Sequence, residues 1–539
     1  MKKMVGNKKL KFSLALSLSF LLLGSTVGNA KENNLAVPRS NSAQEIDINV
    51  EDKYQEIDGF GASGAWVMDP IGAEWSEENK KKVADLLFSQ DKGIGLSMWR
   101  FNIGAGSEVT DKEIIGDRFR RAESFKAGEN EPYDWSKQAG QQWFLQAAKD
   151  RGVEEFIAFV NSPPVWMTKN GHAQPDPSVG STNLKEDSID DFAVFLADVV
   201  EHFEQEQLPF SYISPINEPT WDWNHAGQEG NRYNIEDMKN VIRALHNELT
   251  NRGLDTEIDA PEAVEYTSLL DDDIYAAFTG REGSKYSSGN ASGAYPGKYS
   301  EYIKEFLGDP EIKEMIGNKI SAHAYWSDYF SGSDRLIPLR QSVRENLDRY
   351  DQHAKIWMSE YCILGGHGHG RDLSINTALD VARLIHFDMV ETQASAWQWW
   401  LAMSPYDYKD GLIYTDYSNP GDEETVIESK LLWALGNYSR FVRPGAHRVD
   451  LQGANDKDGL MGSAYYQEED NQLSIVLVNY SDETKPAHIN VNNLPGKKGA
   501  IQFRPYVTSE NYDLEQKNLF PANKTFNVPP RSVVTLVAQ

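Results

Sequence analysis

Glu218 and Glu360 are the two residues of this sequence whose settings suit acid–base and nucleophilic chemistry on a single substrate. The segment Ile213-Ser-Pro-Ile-Asn-Glu-Pro219 carries an apolar run into an amide and a carboxylic acid, then stops at a proline. An aromatic patch, Trp221-Asp222-Trp223, follows at once. A carboxyl held among indoles loses water, which raises its pKa as a general acid requires. In Lys355-Ile-Trp-Met-Ser-Glu-Tyr361 an apolar strand again ends in a single carboxylate with an aromatic beside it. Two such acids suit cleavage of a glycosidic bond: one protonates the leaving oxygen, the other attacks or stabilises the anomeric carbon. Retention of configuration needs the two carboxyls about 5–5.5 Å apart, inversion about 6.5–9.5 Å.

Positioning these acids requires strands that end at one rim. From residue 57 to 435 short apolar strands alternate with longer amphipathic stretches, the pattern of parallel strands with crossover helices. Eight strands are expected: Ile57 to Ala62, Leu96 to Ile103, Glu155 to Val160, Phe210 to Ile216, Glu257 to Ala260, Ile320 to Tyr325, Lys355 to Ser359 and Ala394 to Trp399. Between the third and fourth, Ser188 opens a helix with Ile189, Phe192, Phe195, Leu196, Val199, Val200 and Phe203 on one face. Eight such units close into a (β/α)8 TIM barrel with its chemistry at the C-terminal strand ends. Glu218 and Glu360 then end strands four and seven. Beyond residue 436 the period changes to two: Leu473 to Asn479, His488 to Val491, Ile501 to Phe503 and Val533 to Val537 read as strands of a fused C-terminal β-sandwich. A strand over 44–56, centred on Ile46 to Val50, is expected to pair with that sandwich and tie the two ends of the fold together. The Ser/Gly-rich 283–297 reads as a barrel loop.

Residues 1–30 have the order of a secretory signal peptide: five lysines, the apolar run Phe12 to Leu23, then small residues to Ala30. The expectation is a secreted, extracellular protein with no membrane association once that segment is removed. Its loss takes five positive charges and no acids from a chain of net charge −28, leaving −33. So acidic a surface argues against nucleic acid as a partner and is compatible with a neutral polysaccharide or oligosaccharide. Cys362 is the sole cysteine, so no intramolecular disulfide forms. It is read as a small buried packing residue, and a monomer is expected.

Further candidates surround the two acids. Trp66, Trp166, Trp221, Trp223, Tyr325, Trp326, Trp397, Trp399 and Trp400 all fall near expected strand ends, where flat rings can stack on the C–H faces of sugars. Strand alternation puts Trp397 and Trp399 on one face and Trp400 on the other. Arg100, on strand two, is placed to hold the strand-seven carboxylate ionised, with Tyr325 as a hydrogen-bond donor to it. Gly59-Phe-Gly-Ala-Ser-Gly64 has the spelling of a dinucleotide loop, but no clear helix opens after it, so a tight turn delivering Trp66 is expected. His367 and His369 form a His-x-His pair without a third ligand nearby, so the loop is read as sugar-binding. No metal and no cofactor are expected.

With those residues together, the chain resembles glycoside hydrolase family 30 from Ile57 to its C-terminus. The motifs that carry the likeness are Gly59-Phe-Gly61, Trp99-Arg-Phe-Asn-Ile-Gly104, Asn161-Ser-Pro-Pro-Val-Trp-Met167, Asn217-Glu-Pro219, His323-Ala-Tyr325, Ser359-Glu360 and Trp397 to Trp400. The resemblance implies Glu218 as acid/base, Glu360 as nucleophile, Asn217 as a binder of the sugar 2-hydroxyl and Tyr325 as partner of Glu360. It also places His323, Arg100, Asn161, Trp166, Trp223, Trp66, Trp397 and Trp400 around the substrate. Glu218 to Asn224, followed by Gln228-Glu-Gly230, looks most like the endo-β-1,6-galactanases of the family. The glucosylceramidase branch tends to carry tryptophan where Asn161 stands, which argues against a lipid-linked glucoside. Glucuronoxylanase and β-1,6-glucanase activities stay open, as does a non-catalytic polysaccharide-binding protein.

Overall fold

The structure is a computed structural model, and it describes residues 43–539 apart from 225, 280–292, 329, 331–334 and 497–500. The expected signal segment and most of the Ser/Gly-rich loop lie outside the described residues.

The barrel strands in chain order are β2 (Gly59–Ser63), β3 (Met98–Asn102), β4 (Glu155–Phe159), β5 (Tyr212–Ser214), β6 (Glu257–Ile258), β7 (Pro261–Ala263), β8 (Lys319–His323), β9 (Lys355–Glu360) and β10 (Ala396–Ser404). β1 (Gln44–Glu56) lies outside the barrel. Each barrel strand pairs in parallel with its neighbours, and β10 pairs with β2. β6 and β7 are two halves of the fifth strand: β6 pairs with β5 and β7 with β8, which completes the ring. Sequence pattern ended this strand at Ala260 because proline cannot donate to a ladder. The chain instead continues through Pro261 to Ala263, and so brings Glu262 to the rim.

The strands are short and their residues mostly buried on both faces, as expected of a sheet wrapped in helices. Helix Ile189–Gln205 lays Phe192, Phe195, Leu196, Val199, Val200 and Phe203 on the barrel, each contributing about 1.5–3 kcal/mol by leaving water. Ser188 stands at its N-cap, but its side chain makes no capping bond. A helix does open after the glycine-rich turn, at Met68–Glu74, contrary to the sequence expectation. The glycines serve packing: a Cβ on Gly59 or Gly61 would stand 2.6 or 2.9 Å from the Met98 side chain on β3. Gly59 also takes φ +152°, where glycine is favoured.

The C-terminal β-sandwich domain is a ten-stranded array running from His447 to Ala538 with β1 inside it. β1 pairs antiparallel with His447–Gln452 and parallel with Lys485–Asn492. The boundary expected near 435 falls within helix Lys430–Ser439, which leads into the sandwich. Period-two alternation gives these strands two apolar faces. Ile475 and Leu477 join Ile48, Phe503 and Leu536 in the sandwich core, while Val476 and Val478 pack into the barrel's hydrophobic core. Asn437 fixes the junction, donating to the Tyr506 carbonyl at 3.1 Å and to Thr535 Oγ1 at 2.9 Å. Among the described residues no helix is long and apolar enough to cross a membrane.

Candidate active site

The C-terminal ends of the barrel strands open into a cavity of about 820 Å³ whose wall includes both Glu218 and Glu360. Glu360 is the last residue of β9, and Glu218 stands four residues beyond β5. The backbone at Glu218 is left-handed (φ 45°), as it is at Glu262 (φ 54°) and Trp326 (φ 54°), the residues that turn three adjacent strand ends into the mouth. For side chains with a Cβ this conformation costs of order 1–3 kcal/mol each, a strain typical of functional sites. The Glu218 amide donates to the Glu262 carbonyl at 2.9 Å, and Trp223 Nε1 donates to the Glu218 carbonyl at 3.1 Å, which fixes the turn.

Oxygens of Glu218 and Glu360 and a ring nitrogen of His323 all lie within 4.8 Å of one another. Glu360 receives Arg100 Nη1–H on Oε2 at 2.7 Å and the Tyr325 hydroxyl on Oε1 at 2.9 Å. Glu218 Oε1 faces His323 Nδ1 at 2.9 Å. Burial raises the pKa of Glu218, and Glu360 nearby adds to the rise, although His323 and Arg100 oppose it. One carboxyl is therefore biased to hold a proton, while the other sits against a guanidinium and a phenol. That division suits a general acid and a nucleophile.

Asn217 lines the cavity and donates Nδ2–H to Asn161 Oδ1 at 3.1 Å. Asn161 in turn donates to Asn102 Oδ1 at 2.8 Å. This relay orients the Asn217 amide and leaves its Oδ1 buried without a protein partner, ready to accept from a hydroxyl. Asn161 thus stands behind the wall, holding the residue that forms it.

The expected aromatic residues divide. Trp221, Trp223, Tyr325, Trp326 and Trp400 line the cavity, and Trp221 and Trp326 stack with centroids 5.4 Å apart at 18°. Three tryptophans expected at the substrate face elsewhere. Trp66 is wholly buried, donates to Glu229 Oε2 at 3.1 Å and meets Trp400 edge to face, so it backs the wall. Trp397 points into the helix layer and donates to Asp388 Oδ2 at 2.9 Å. Trp166 donates to the Lys126 carbonyl at 3.1 Å, away from the cavity wall. The reason is shared: a large barrel needs bulky rings in its packing layers, and sequence alone does not say which ring faces inward. Arg100 and His323 are likewise fully buried and act on the carboxylates from behind.

Cys362 is buried, and its Sγ lies 4.0 Å from the Tyr325 hydroxyl. His367 stacks on Phe330 and His369 meets Tyr408, so the two imidazoles face different aromatic partners.

Several site residues escaped the sequence reading. Arg120 lines the cavity from the loop after β3, donating to the Tyr406 hydroxyl and to Gln228 Oε1, each at 3.1 Å. Asp410 lines it from the loop after β10 and accepts from Ser404 Oγ at 2.6 Å. Burial raises the Asp410 pKa. Glu262 lies beneath the two catalytic candidates and accepts from His323 Nε2 at 2.7 Å and Ser359 Oγ at 2.6 Å. Its signal was present in Glu257-Ile-Asp-Ala-Pro-Glu-Ala263, one more strand ending in an acid.

The comparisons with known proteins agree with this architecture. Residues 43–414 match the family model of O-Glycosyl hydrolase family 30, and residues 445–536 match the Glycosyl hydrolase family 30 beta sandwich domain. The chain belongs to glycoside hydrolase family 30. It is 28% identical to an endo-beta-1,6-galactanase of Hypocrea rufa, over 86% of this chain and 87% of that protein. It is 29% identical to a glucuronoxylanase of Bacillus subtilis strain 168, over 97% of each. The crystal structure of a conserved exported protein from Bacteroides fragilis superposes with a TM-score of 0.80 at 31% identity, covering 92% of this chain and all of that one. This family 30 member is a glycosidase, and polysaccharides are the substrate class of such hydrolases.

Proposed function

We propose that the protein is a secreted, retaining endo-β-1,6-galactanase acting on galactan or arabinogalactan side chains, with Glu218 as acid/base and Glu360 as nucleophile. The observation that carries the reading is that an oxygen of Glu218 and an oxygen of Glu360 lie within 4.8 Å of each other at the wall of one cavity. In the first step Glu360 forms a bond to the anomeric carbon as the glycosidic C–O bond breaks, and Glu218 gives its proton to the leaving oxygen. In the second, Glu218 takes a proton from water, the hydroxyl bonds to the anomeric carbon, and the ester to Glu360 breaks. The Oδ1 of Asn217 accepts from the 2-hydroxyl throughout.

Support for a neutral β-1,6-galactan comes from two directions. The Hypocrea rufa relative is an endo-beta-1,6-galactanase, and Glu218 to Asn224 with Gln228-Glu-Gly230 resembles the galactanases of the family. In addition, Arg120 is the one Lys or Arg among the described residues lining the cavity, and Tyr406 and Gln228 already engage it. Asp222, Asp407 and Asp410 line the same wall. A glucuronate branch would bring a carboxylate into this acidic setting and meet repulsion. Export is supported by the sequence of residues 1–30. The test is reducing-sugar release from arabinose-stripped arabinogalactan, glucuronoxylan and β-1,6-glucan in parallel. Release from the first alone supports the reading, and greater release from either of the others overturns the galactan assignment.

A further inference from the structure

Below the catalytic candidates lies a second set of buried groups that the two-step chemistry does not use. His323 is wholly buried, and each of its ring nitrogens faces a carboxylate: Nδ1 lies 2.9 Å from Glu218 Oε1 and 3.4 Å from Glu360 Oε1, and Nε2 lies 2.7 Å from Glu262 Oε2. A neutral imidazole has one donor and one acceptor nitrogen, so it would present a lone pair to one of these oxygens. If that lone pair faced Glu218, the Glu218 proton would be drawn onto the imidazole and away from the glycosidic oxygen.

We propose that Glu262 is a positioning residue whose carboxylate holds His323 doubly protonated, so that Nδ1 donates to Glu218 Oε1 and has no lone pair with which to take the proton that Glu218 carries on its other oxygen. The inference rests on the acid/base role read above for Glu218. Glu262 is built for this role. Its Oε2 accepts from His323 and Ser359, and Arg100 Nη2 stands 3.8 Å away. Asp259, on the same interrupted strand, is buried with Lys319 Nζ 3.7 Å from its Oδ1, and the Glu262 charge acts on it. Strict alternation would put residues 259 and 262 on opposite faces; the break in the strand and the left-handed backbone of Glu262 bring both inward. The groups facing His323 are Glu218 beyond β5, Glu262 on β7 and Glu360 on β9, with the Tyr325 ring at its edge and Arg100 on β3 behind the carboxylates. Burial alone would lower the imidazole pKa, but the carboxylates of Glu360, Glu262 and, when it is ionised, Glu218 outweigh burial and raise it to about 10. Burial raises Glu262, but Arg100 and His323 reverse the shift and take it well below the usual carboxylate range. Burial raises the Asp259 pKa, with Lys319 opposing the rise and Glu262 adding to it.

The variant Glu262→Gln keeps an acceptor for Nε2–H but removes the charge. It is assayed on a β-1,6-galactooligosaccharide, whose leaving alkoxide needs a proton, and on the corresponding 2,4-dinitrophenyl glycoside, whose phenolate does not. The expected result is a fall in kcat/KM of about a hundredfold on the oligosaccharide, within the range for loss of a general acid, and a change of less than about threefold on the aryl glycoside. Glu262→Asp, which restores the charge, is expected to recover part of the oligosaccharide rate. Equal losses on both substrates would show a merely structural role and overturn the proposal. An independent measurement needs no variant of Glu262: nitrogen-15 spectra of histidine-labelled wild-type protein at pH 8, with His323 assigned by its loss in His323→Gln. Both ring nitrogens should be protonated there, in contrast to His386, which burial lowers to about 3. A neutral His323 at pH 8 overturns the proposal even if the folded variants are inactive. Failure of the wild-type protein to cleave either galactoside would refute the galactan reading, while the imidazole spectrum still decides the role of Glu262.

Discussion

Arg100 on the second barrel strand donates Nη1–H to Glu360 Oε2 on the seventh at 2.7 Å, with both side chains buried. Its guanidinium also lies 4.1 Å over the Phe159 ring and 3.8 Å from Glu262, so a single cation serves two buried carboxylates. Arg100→Met should lower unfolding stability by about 3–5 kcal/mol, because it strands buried charge, and should abolish most activity. Arg100→Lys restores a charge without the planar fork and should recover stability in part. Urea unfolding of the three proteins checks both statements.

Glu360→Gln should reduce turnover by on the order of 10⁴-fold or more on every substrate, as removal of a nucleophile does. Glu218→Ala should lose about 10²–10⁴-fold on oligosaccharide yet stay active on dinitrophenyl glycosides. Added azide should rescue this variant and yield the glycosyl azide of retained β configuration. An α product from Glu218→Ala would reverse the assignment of the two acids.

The stacked Trp221–Trp326 pair lies on the loops of Glu218 and Tyr325 and lines the same cavity. Either alanine substitution should raise KM about tenfold with little change in kcat, the value of one aromatic platform. Because the rings also brace each other, the double variant should cost less than the two single losses added together. Initial-rate kinetics on oligosaccharides of increasing length measure this.

Glu229 is buried beneath the wall and accepts from Trp66 Nε1, the Ala105 amide and Ser107 Oγ. Burial raises its pKa to about 7 despite these bonds. An acid raised on folding binds more protons in the native state, so stability is greatest below about pH 4.5 and declines as pH rises towards 7. The decline from this group should be roughly 3 kcal/mol. Glu229→Gln should flatten that part of the profile, read as Tm against pH for the two proteins.

The barrel and the two facing glutamates were legible because each strand is an apolar run and each acid ends one. Glu262 was not, since Pro261 interrupts the apolar run and a positive φ breaks the alternation on which the reading relies. The cavity role of Arg120 and Asp410 depends on loops that meet only after the ring closes. Among aromatics, sequence located the rich region but not the direction of each ring: Trp400 faces the cavity, while Trp397 two strand positions from Trp399 turns to Asp388. In the sandwich, the strands over 473–479 and 533–537 stood out through runs rich in Val, Ile and Leu. His447–Gln452 and Leu460–Gln467 carry charges, glycine and serine that mask the period.

β1 lies between two strands encoded after the entire barrel, His447–Gln452 and Lys485–Asn492. During translation this segment leaves the ribosome ahead of the barrel and waits without ladder partners until His447–Gln452 and then Lys485–Asn492 are made. The barrel can close first, as N-terminal units usually do, but the second domain can only assemble late, around a strand already anchored to β2. A fragment cut at the border between the two family domains would expose two open sheet edges, an invitation to aggregation. Completion of the sandwich therefore reports that synthesis has passed Ala538.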